Sequence, residues 1–292
     1  MNLKEMMIPS QGEGERVDHL IRRYFPELPE ASVRAAFLRR DVKLDGKRVG
    51  KDTRARAGQA IRIYLPEGEE KNPLEIVYED DDVLLVNKPA GISVEPDGKG
   101  GVTLTELCER HVRKNAVSKD GFFAPAACHR LDNQTSGLCL FAKKPQTLDM
   151  MTEVFRERSL EKEYECLVRG IPKPPRAECQ AWLIKDAKAA KVQVLDYPRE
   201  GSKHIITAYE ILKAGPVSRL RVKLITGRTH QIRAHLAALG HPILGDDIYG
   251  DRMWNRENRT RTLRLCAVRL KIETGGRLPQ LDGRTFDIPA PF

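Results

Sequence analysis

The chain has 292 residues and a formal net charge of +9; 40% of its residues are apolar and 31% are charged. This composition suits a soluble globular protein with a sizeable core and excludes a disordered chain. No apolar run is long enough to cross a bilayer, and the first ten residues, which contain Lys4 and Glu5, predict no signal peptide. The six cysteines form no CxxC pair, so we expect reduced thiols in a cytoplasmic protein.

The positive charge is concentrated near the N-terminus, where residues 15–64 hold 13 Lys or Arg and 7 Asp or Glu. A basic segment of this size favours a polyanionic partner, most simply nucleic acid, although a solvated positive face is the plain alternative. In a second basic cluster, within 252–264, the only acid is Glu257; the cluster comprises Arg252, Arg256, Arg259, Arg261 and Arg264.

The basic N-terminal segment has the pattern of two helices and a hairpin. Apolar residues from Val17 to Phe25 recur at helical spacing, and a second helix is predicted over 30–40, with its arginines mostly outside. Two short alternating runs flank Asp45-Gly46, which predicts a hairpin with a type I′ turn. A last alternating strand is predicted over 61–65.

A polar linker at 66–74 separates this segment from a second region. A hairpin is predicted at 76–86, followed by a helix over 104–112. The glycine-rich run 98–101 lacks the spacing of a phosphate-binding loop.

A polar loop at 129–137 stands between an apolar approach and a buried strand at 138–142. Within the loop Arg130 and Asp132 are two residues apart, so an extended backbone points both to one side. Taken alone, the loop also fits an ordinary Asx or Ser/Thr turn with a local ion pair.

The C-terminal half predicts one helix after the loop, with Leu148, Met151 and Phe155 inward, and then several strands with few crossover helices. The segment 176–201 has no clear pattern. A second helix is predicted after Thr229, as its N-cap, with Ile232, Leu236 and Leu239 inward and Gly240 at its end. The predicted strands are 164–168, 191–195, 204–212 and 217–226.

The run HRLDNQTSG at 129–137 resembles the HRLDxxTSG signature of the RluA-type pseudouridine synthases. The resemblance extends to the closing residues 283–292. At 265–267 the chain reads Leu-Cys-Ala where these enzymes usually read Leu-His-Ala. Four further blocks match in the same order: 79–91, 162–164, 227–236 and 240–250. The N-terminal segment is similar to the S-four-like RNA-binding module, named for a small-subunit ribosomal protein, at Arg16 to Asp18, 34–40 and 42–47.

The resemblance implies an α+β protein in three parts. A small N-terminal α/β RNA-binding module at 14–65 and a linker at 66–74 precede a catalytic domain at 75–292. In that domain helices flank a mixed, largely antiparallel β-sheet.

The resemblance also implies the function, which is isomerisation of specific uridines to pseudouridine in structured RNA, favouring large-subunit ribosomal RNA. Such an enzyme uses an aspartate without metal or organic cofactor, and we expect a monomer. The aspartate maps onto Asp132, which could add to the ring, attack the anomeric carbon or remove a ribose proton.

Further site residues are also implied by the resemblance. Arg130 would help flip the base, Tyr164 would pack against the uracil, and Arg233 would pair with Asp132, holding it charged and aimed. Arg228 is the nearest rival for that pairing. His230 and Gln231 would hold the loop or contact RNA. The RNA-binding residues expected in the N-terminal module are Arg34, Arg39, Arg40, Lys43, Lys47 and Arg48.

Two other functions are compatible with parts of this pattern. A non-catalytic RNA-binding or ribosome-assembly protein could share the fold, but it would be expected to lack the aspartate, the tyrosine or the arginine. A glycosidase or nuclease needs a second acid or a metal, and the nearest acids, Asp120 and Asp149, lie in different elements. His230 and His235 are five apart, which is not the spacing of a two-histidine metal motif.

Overall fold

The computed structural model divides the chain into two compact units. The first comprises Met1–Glu75 and Glu95–Ala124, and the second comprises Ile76–Val94 and Pro125–Phe292. Most of the predicted linker and the glycine-rich run 98–101 lie outside the described residues. The described residues are 2–25, 28, 30–66, 74–96, 102–115, 122–157, 159–186, 191–260 and 262–292.

The first unit contains an antiparallel sheet in the order β1-β4-β2-β3. Its strands are β1 (Asn2–Met7), β2 (Val42–Leu44), β3 (Lys47–Arg48) and β4 (Ala60–Leu65). The predicted hairpin is confirmed, because Asp45 and Gly46 have φ angles of 48° and 78°, as a type I′ turn requires. Strand β1 was not predicted.

Helices α1 (Val17–Tyr24), α2 (Glu30–Leu38) and α3 (Leu104–Asn115) belong to the first unit. The buried faces of α1 and α2 share a core with the sheet, which includes Leu20, Ala36 and Ile61. The first turn of α3 is closed by a capping box, in which Thr103 and Glu106 exchange side-chain to backbone hydrogen bonds of 3.2 Å. The sequence placed this helix in the catalytic domain.

The second unit is built on a long, mixed sheet, which confirms the α+β class. Every strand pair with a described register is antiparallel except β14 with β8. The strand order is β11-β10-β12-β13-β9-β14-β8-β6-β5, with β15 on β14 and β7 on β8. The strands are β5 (Glu75–Glu79), β6 (Val83–Lys88), β7 (Ala126–Ala127), β8 (Ser136–Ala142), β9 (Leu160–Arg169), β10 (Arg176–Asp186), β11 (Lys191–Leu195), β12 (Lys203–Lys213), β13 (Val217–Leu224), β14 (Leu265–Ile272) and β15 (Thr285–Asp287).

Three helices accompany this sheet, namely α4 (Pro145–Glu157), α5 (Gln231–Ala238) and α6 (Arg252–Glu257). Helix α4 buries Met151 and Val154 in a cluster that contains Leu138 and Leu140 of β8. Helix α5 packs on the other end of the sheet, where Ala234 meets residues of β10 and β12. The loop before β8 and helix α5 therefore belong to the same unit.

The start of α5 differs from the prediction, and its end agrees with it. The N-cap is His230 in a left-handed conformation with no side-chain cap, so the predicted Thr229 cap is wrong. Leu239 is 42% exposed and does not belong to the inward stripe. Gly240 has φ 85°, and bonds from Gly240 N to Ala237 O and from His241 N to Leu236 O form the expected Schellman ending.

All six cysteines are free thiols. Among the described residues, no helix combines the length and apolarity that a membrane crossing requires.

Candidate active site

The predicted catalytic residue Asp132 lies in the loop that leads directly into β8. The loop turns tightly, since the amide of Thr135 donates to the carbonyl of Asp132 over 3.0 Å. It then enters β8, whose second residue, Gly137, has φ 114° and pairs with Ala267 of β14. A Cβ at Gly137 would lie only 2.3 Å from the Ala267 carbonyl oxygen, so this close approach of two backbones requires glycine.

Arg233 of α5 pairs with Asp132. Its Nη1 atom lies 3.4 Å from Oδ2 of Asp132, while its Nε and Nη2 atoms donate to the two oxygens of Asp246 at 2.8 and 2.9 Å. Burial opposes the charge of Asp246, but hydrogen bonds from Arg233 hold the pKa of that carboxyl below its usual value. The amides of Ile248 and Tyr249 add two more bonds to Asp246. A fixed ion pair therefore orients the guanidinium that faces Asp132.

Asp246 is a site residue to which the sequence analysis assigned no role. It lies in the block 240–250 that matches the pseudouridine synthases, and this match was the available signal. Its side chain is fully buried, and a buried carboxylate of this kind needs a cationic partner.

His230 also faces Asp132. Its Nε2 atom lies 3.9 Å from Oδ2 of Asp132, and its Nδ1 atom lies 2.9 Å from the hydroxyl of Tyr249. That hydroxyl accepts the amide hydrogen of Val192 at 2.9 Å, so its own hydrogen is available to Nδ1. Burial lowers the pKa of His230, which favours a neutral ring with its hydrogen on Nε2, on the side of Asp132.

Lys88, at the end of β6, connects the loop that carries Asp132 to the backbone that follows β6. The side chain is fully buried, and Nζ donates to the carbonyls of Pro89, Ile92 and Asn133 at 2.7–3.0 Å. Burial lowers its pKa to about 8. Because Asn133 follows Asp132, this ammonium group fixes the backbone beside the catalytic candidate.

His129 anchors the start of the loop. Its Nε2 atom accepts the amide hydrogen of Leu140 at 3.2 Å, and its ring stacks on Phe155 with centroids 5.0 Å apart. Burial, followed by the charge of Lys162, lowers its pKa to about 3. His129 is therefore a neutral structural residue, held by β8 and α4.

Tyr164 lies on β9, where the register places it beside Ala267, the partner of Gly137. Only 6% of the residue is exposed. Burial, followed by the nearby charge of Asp132, raises the pKa of its hydroxyl, so the phenol stays protonated. The predicted site residues Asp132, Arg233, His230 and Tyr164 are thus brought together.

Three other predicted site residues lie differently. Arg130 and Arg228 are exposed, and Arg233, not Arg228, makes the contact with Asp132. Gln231 is buried at 2% exposure, and its amide bonds to Thr226, Thr207 and two backbone groups. These bonds join Gln231 to the loop before α5 and to β12, and its contribution to RNA contact stays a prediction.

Six basic residues predicted to bind RNA lie on or directly after α2 and in the hairpin β2–β3: Arg34, Arg39, Arg40, Lys43, Lys47 and Arg48. All are exposed except Lys43, whose ammonium lies 4.8 Å from the ring centroid of Tyr64. Arg39 donates to Asp41 at 3.0 Å. Within the described residues, no group of three His, Cys, Asp or Glu side chains could hold a metal ion.

Known proteins share this sequence pattern. The family described as RNA pseudouridylate synthase matches residues 82–238, more than half of the chain. An uncharacterized RNA pseudouridine synthase of Aquifex aeolicus is 34% identical over 82% of this chain and 78% of its own. The ribosomal large subunit pseudouridine synthase C of Escherichia coli K12 is 31% identical over 88% of this chain and 82% of its own.

Solved structures share the fold. Human RNA pseudouridylate synthase domain containing 4 superposes with a TM-score of 0.61 and 23% identity, over 74% of this chain and 88% of that chain. Human RNA pseudouridylate synthase domain containing 1 gives a TM-score of 0.58 and 28% identity, over 75% and 90%. With the family match and the relatives above 30% identity, the chain belongs to the RNA pseudouridylate synthase family and is an RNA pseudouridine synthase.

Proposed function

We propose that this protein converts uridines of large-subunit ribosomal RNA into pseudouridine and that the Asp132 carboxylate performs the reaction. The observation that supports this proposal most strongly is the contact between Asp132 and Arg233, which a buried pair with Asp246 holds in place. An oriented cation beside a half-buried carboxylate is a preorganised electrostatic arrangement, which is common where charge moves during a reaction.

The reaction breaks the bond between uracil N1 and the ribose and forms a bond from C5 to the same carbon. The hydrogen at C5 is lost and N1 gains one, so atoms and electrons balance without an oxidant. Three roles fit the placement of Asp132, namely addition to the ring, attack at the anomeric carbon and removal of a ribose proton.

The uridine has to leave its stack to reach Asp132, because a base inside a helix is enclosed. Tyr164 supplies a buried aromatic ring for the extruded uracil. Arg130, exposed on the same loop as Asp132, supplies a planar cation for the space that the base vacates.

The ribosomal part of the proposal is supported by relatives that are named for the large ribosomal subunit. The charge of residues 14–65 supports their assignment as an S-four-like RNA-binding module, which would recognise RNA by shape and backbone charge. Six free thiols favour the cytoplasm as the place of action. The expected monomer stays a prediction, which light scattering of the purified protein tests.

The test compares Asp132→Asn with Asp149→Asn on unmodified large-subunit ribosomal RNA. Asp149 is an exposed carboxylate on α4 and serves as the matched control. Asp132→Asn should lower the single-turnover rate by at least about a hundred-fold, since a positioned carboxylate contributes that much or more. RNA affinity and the melting temperature should change little, because the substitution is nearly isosteric.

A near-normal rate for Asp132→Asn would refute the catalytic role. The substrate is checked separately by mapping pseudouridines in RNA from cells with and without the protein. Sites that vanish only from transfer RNA would show that the ribosomal assignment is wrong while leaving the chemistry intact.

A further inference from the structure

Helix α6 and the turn after it carry arginines that the proposed reaction does not use. Arg252, Arg256 and Arg259 are exposed, and we call these three residues the arginine cluster. In the part of the chain that the structure describes, the guanidinium groups of the cluster form no ion pair with a carboxylate. Such unneutralised positive charge requires solvent or a bound anion to balance it.

The amide groups at the start of α6 are already occupied. The Oδ1 atom of Asp251 accepts the amides of Met253 and Trp254 at 2.9 and 3.0 Å, and its Oδ2 atom pairs with Arg169. An anion on this surface would therefore be bound by the guanidinium groups, not by the helix end.

Helix α6 is fixed to the segment that anchors Arg233. Asn255 accepts the amide hydrogen of Gly245 at 2.8 Å and donates to the carbonyl of Asp246 at 2.9 Å. Gly245 also packs so closely that a Cβ there would lie 2.0 Å from the carbonyl oxygen of Thr262. The arginine cluster is consequently held at a defined place with respect to Arg233 and Asp132.

Met253 lies between two members of the cluster and is 75% exposed. A flexible, polarisable side chain among cations suits contact with ribose or base surfaces. All three cations of the cluster are arginine, whose planar fork matches phosphate oxygens bidentately and stacks on bases.

We propose that the arginine cluster and Met253 form a second RNA-contact surface, which binds phosphates of the strand flanking the target uridine. This inference rests on the proposed function, whose substrate is RNA, and it assigns part of the RNA-binding energy to α6. The rigid link through Asn255 to Asp246 means that phosphates held here set the position of the strand relative to Asp132.

The test uses the full chain with Asp132→Asn as the background, so that binding is measured without turnover. The variant Arg252→Gln/Arg256→Gln/Arg259→Gln is compared with Lys185→Gln/Lys203→Gln/Lys213→Gln, which removes equal charge from exposed positions on β10 and β12. Dissociation constants are measured across a potassium chloride series for large-subunit ribosomal RNA and for a short oligouridylate, whose binding does not depend on the ribosomal assignment.

The salt slope is the slope of the logarithm of the binding constant against the logarithm of the salt concentration, and it should be shallower by about 2 in the arginine variant. Each lost phosphate contact removes roughly 0.7–0.9 from this slope. The lysine variant should keep the wild-type slope within about 0.5 on the same scale. In the active background, at enzyme concentrations below the dissociation constant, the arginine variant should form product more slowly in proportion to its lost affinity, whereas the lysine variant should keep the wild-type rate.

Two outcomes would overturn the proposal. If the salt slope of the arginine variant were unchanged, the exposed side of α6 would be a solvated surface or a binding surface for an acidic protein. Equal changes in both variants would show that only net charge matters. Met253→Ala provides a second measurement, and it should weaken binding severalfold while leaving the salt slope unchanged.

Discussion

Two nitrogen atoms face the same oxygen of Asp132, namely Nη1 of Arg233 at 3.4 Å and Nε2 of His230 at 3.9 Å. The arginine is held by Asp246, whereas the ring of the histidine is held by the hydroxyl of Tyr249. The charged groups around His230 are those of Asp132, Arg233, Asp246 and Asp247. We therefore propose that His230 acts through Asp132, as a positioning residue.

The variant Tyr249→Phe tests this role. It keeps the aromatic ring near Arg233 but removes the hydroxyl that fixes the tautomer of His230. We expect kcat to fall by about tenfold with KM nearly unchanged, since the interaction supports the reaction more than binding. Loss of the donor to Nδ1 also raises the pKa of His230, so the acidic limb of the kcat profile should move to higher pH.

The control is Tyr197→Phe, which removes the hydroxyl of a tyrosine that is 58% exposed. It should leave both kinetic constants and the pH profile unchanged. If Tyr249→Phe lowered kcat without moving the profile, Tyr249 would be a packing residue and the tautomer argument would fail.

The sequence predicted one of the contacts around Asp132, because the blocks that carry Asp132 and Arg233 both match the family pattern. The pairing of Arg233 with Asp132 was expected from the resemblance and is present in the structure. The contact of His230 with Tyr249 was not expected, because the two residues are 19 positions apart and no local pattern of the sequence pairs them.

Among the secondary-structure elements, the parallel pair β8–β14 positions the loop that carries Asp132, through Gly137. The substitution Gly137→Ala places a methyl group against the backbone of Ala267 and strains a φ of 114°. We expect a loss of unfolding free energy on the order of 3 kcal/mol or more, because backbone atoms move less easily than side chains. Urea unfolding of the purified variant measures this loss.

Gly201→Ala is the matched control, since Gly201 has φ 76° but no neighbouring atom within 4 Å of the place that an added methyl group would take. It should cost about 1 kcal/mol from backbone strain alone. Equal losses for the two variants would mean that the contact between β8 and β14 is not close-packed.

Many elements could be predicted from apolar spacing, but helix α6 and the strands β1, β7, β10 and β14 were not predicted, and β1 and β10 show why. Strand β1 shows no useful alternation, since Leu3 and Met7 are 49% and 62% exposed, and its position depends on hydrogen bonds to β4. Strand β10 is long and polar, with mostly partial burial, so its pairing with β11 and β12 determines its structure. In both cases distant backbone partners outweigh local pattern.

For the whole molecule, we propose that the basic first unit supplies RNA affinity and that the second unit carries out the reaction. The variant Arg34→Gln/Arg40→Gln/Arg48→Gln should weaken RNA binding and reduce the salt slope by about 2, because phosphate contacts release counterions. Product formed at saturating enzyme should stay near wild type. Filter binding over a salt series and single-turnover assays measure the two effects.

A control of equal charge in the same unit is Arg22→Gln/Lys51→Gln/Arg56→Gln, whose side chains are also exposed. It should leave the slope close to the wild-type value. If both triple variants lowered the slope equally, the unit would act through net charge without a defined RNA-contact face.

The boundary between the two units illustrates what an apolar pattern in the sequence does not determine. The apolar spacing of 104–112 predicted a helix, and α3 is present. However, α3 belongs to the first unit, where Arg110 donates to the carbonyl of Arg23 at 3.3 Å. An amphipathic pattern specifies which face is buried but not which core receives it.

The imidazole of His129 limits the stability of the protein at acidic pH. Its folded-state pKa of about 3 lies below the ordinary value of 6.5, so between these values the unfolded chain binds a proton that the folded chain does not. Stability from this group is fully present above pH 6.5 and is lost progressively as the pH falls from 6.5 towards the folded-state pKa of about 3. Protonation of the folded ring, near pH 3, would remove the acceptor of the Leu140 amide and release the start of the loop 129–137 from β8.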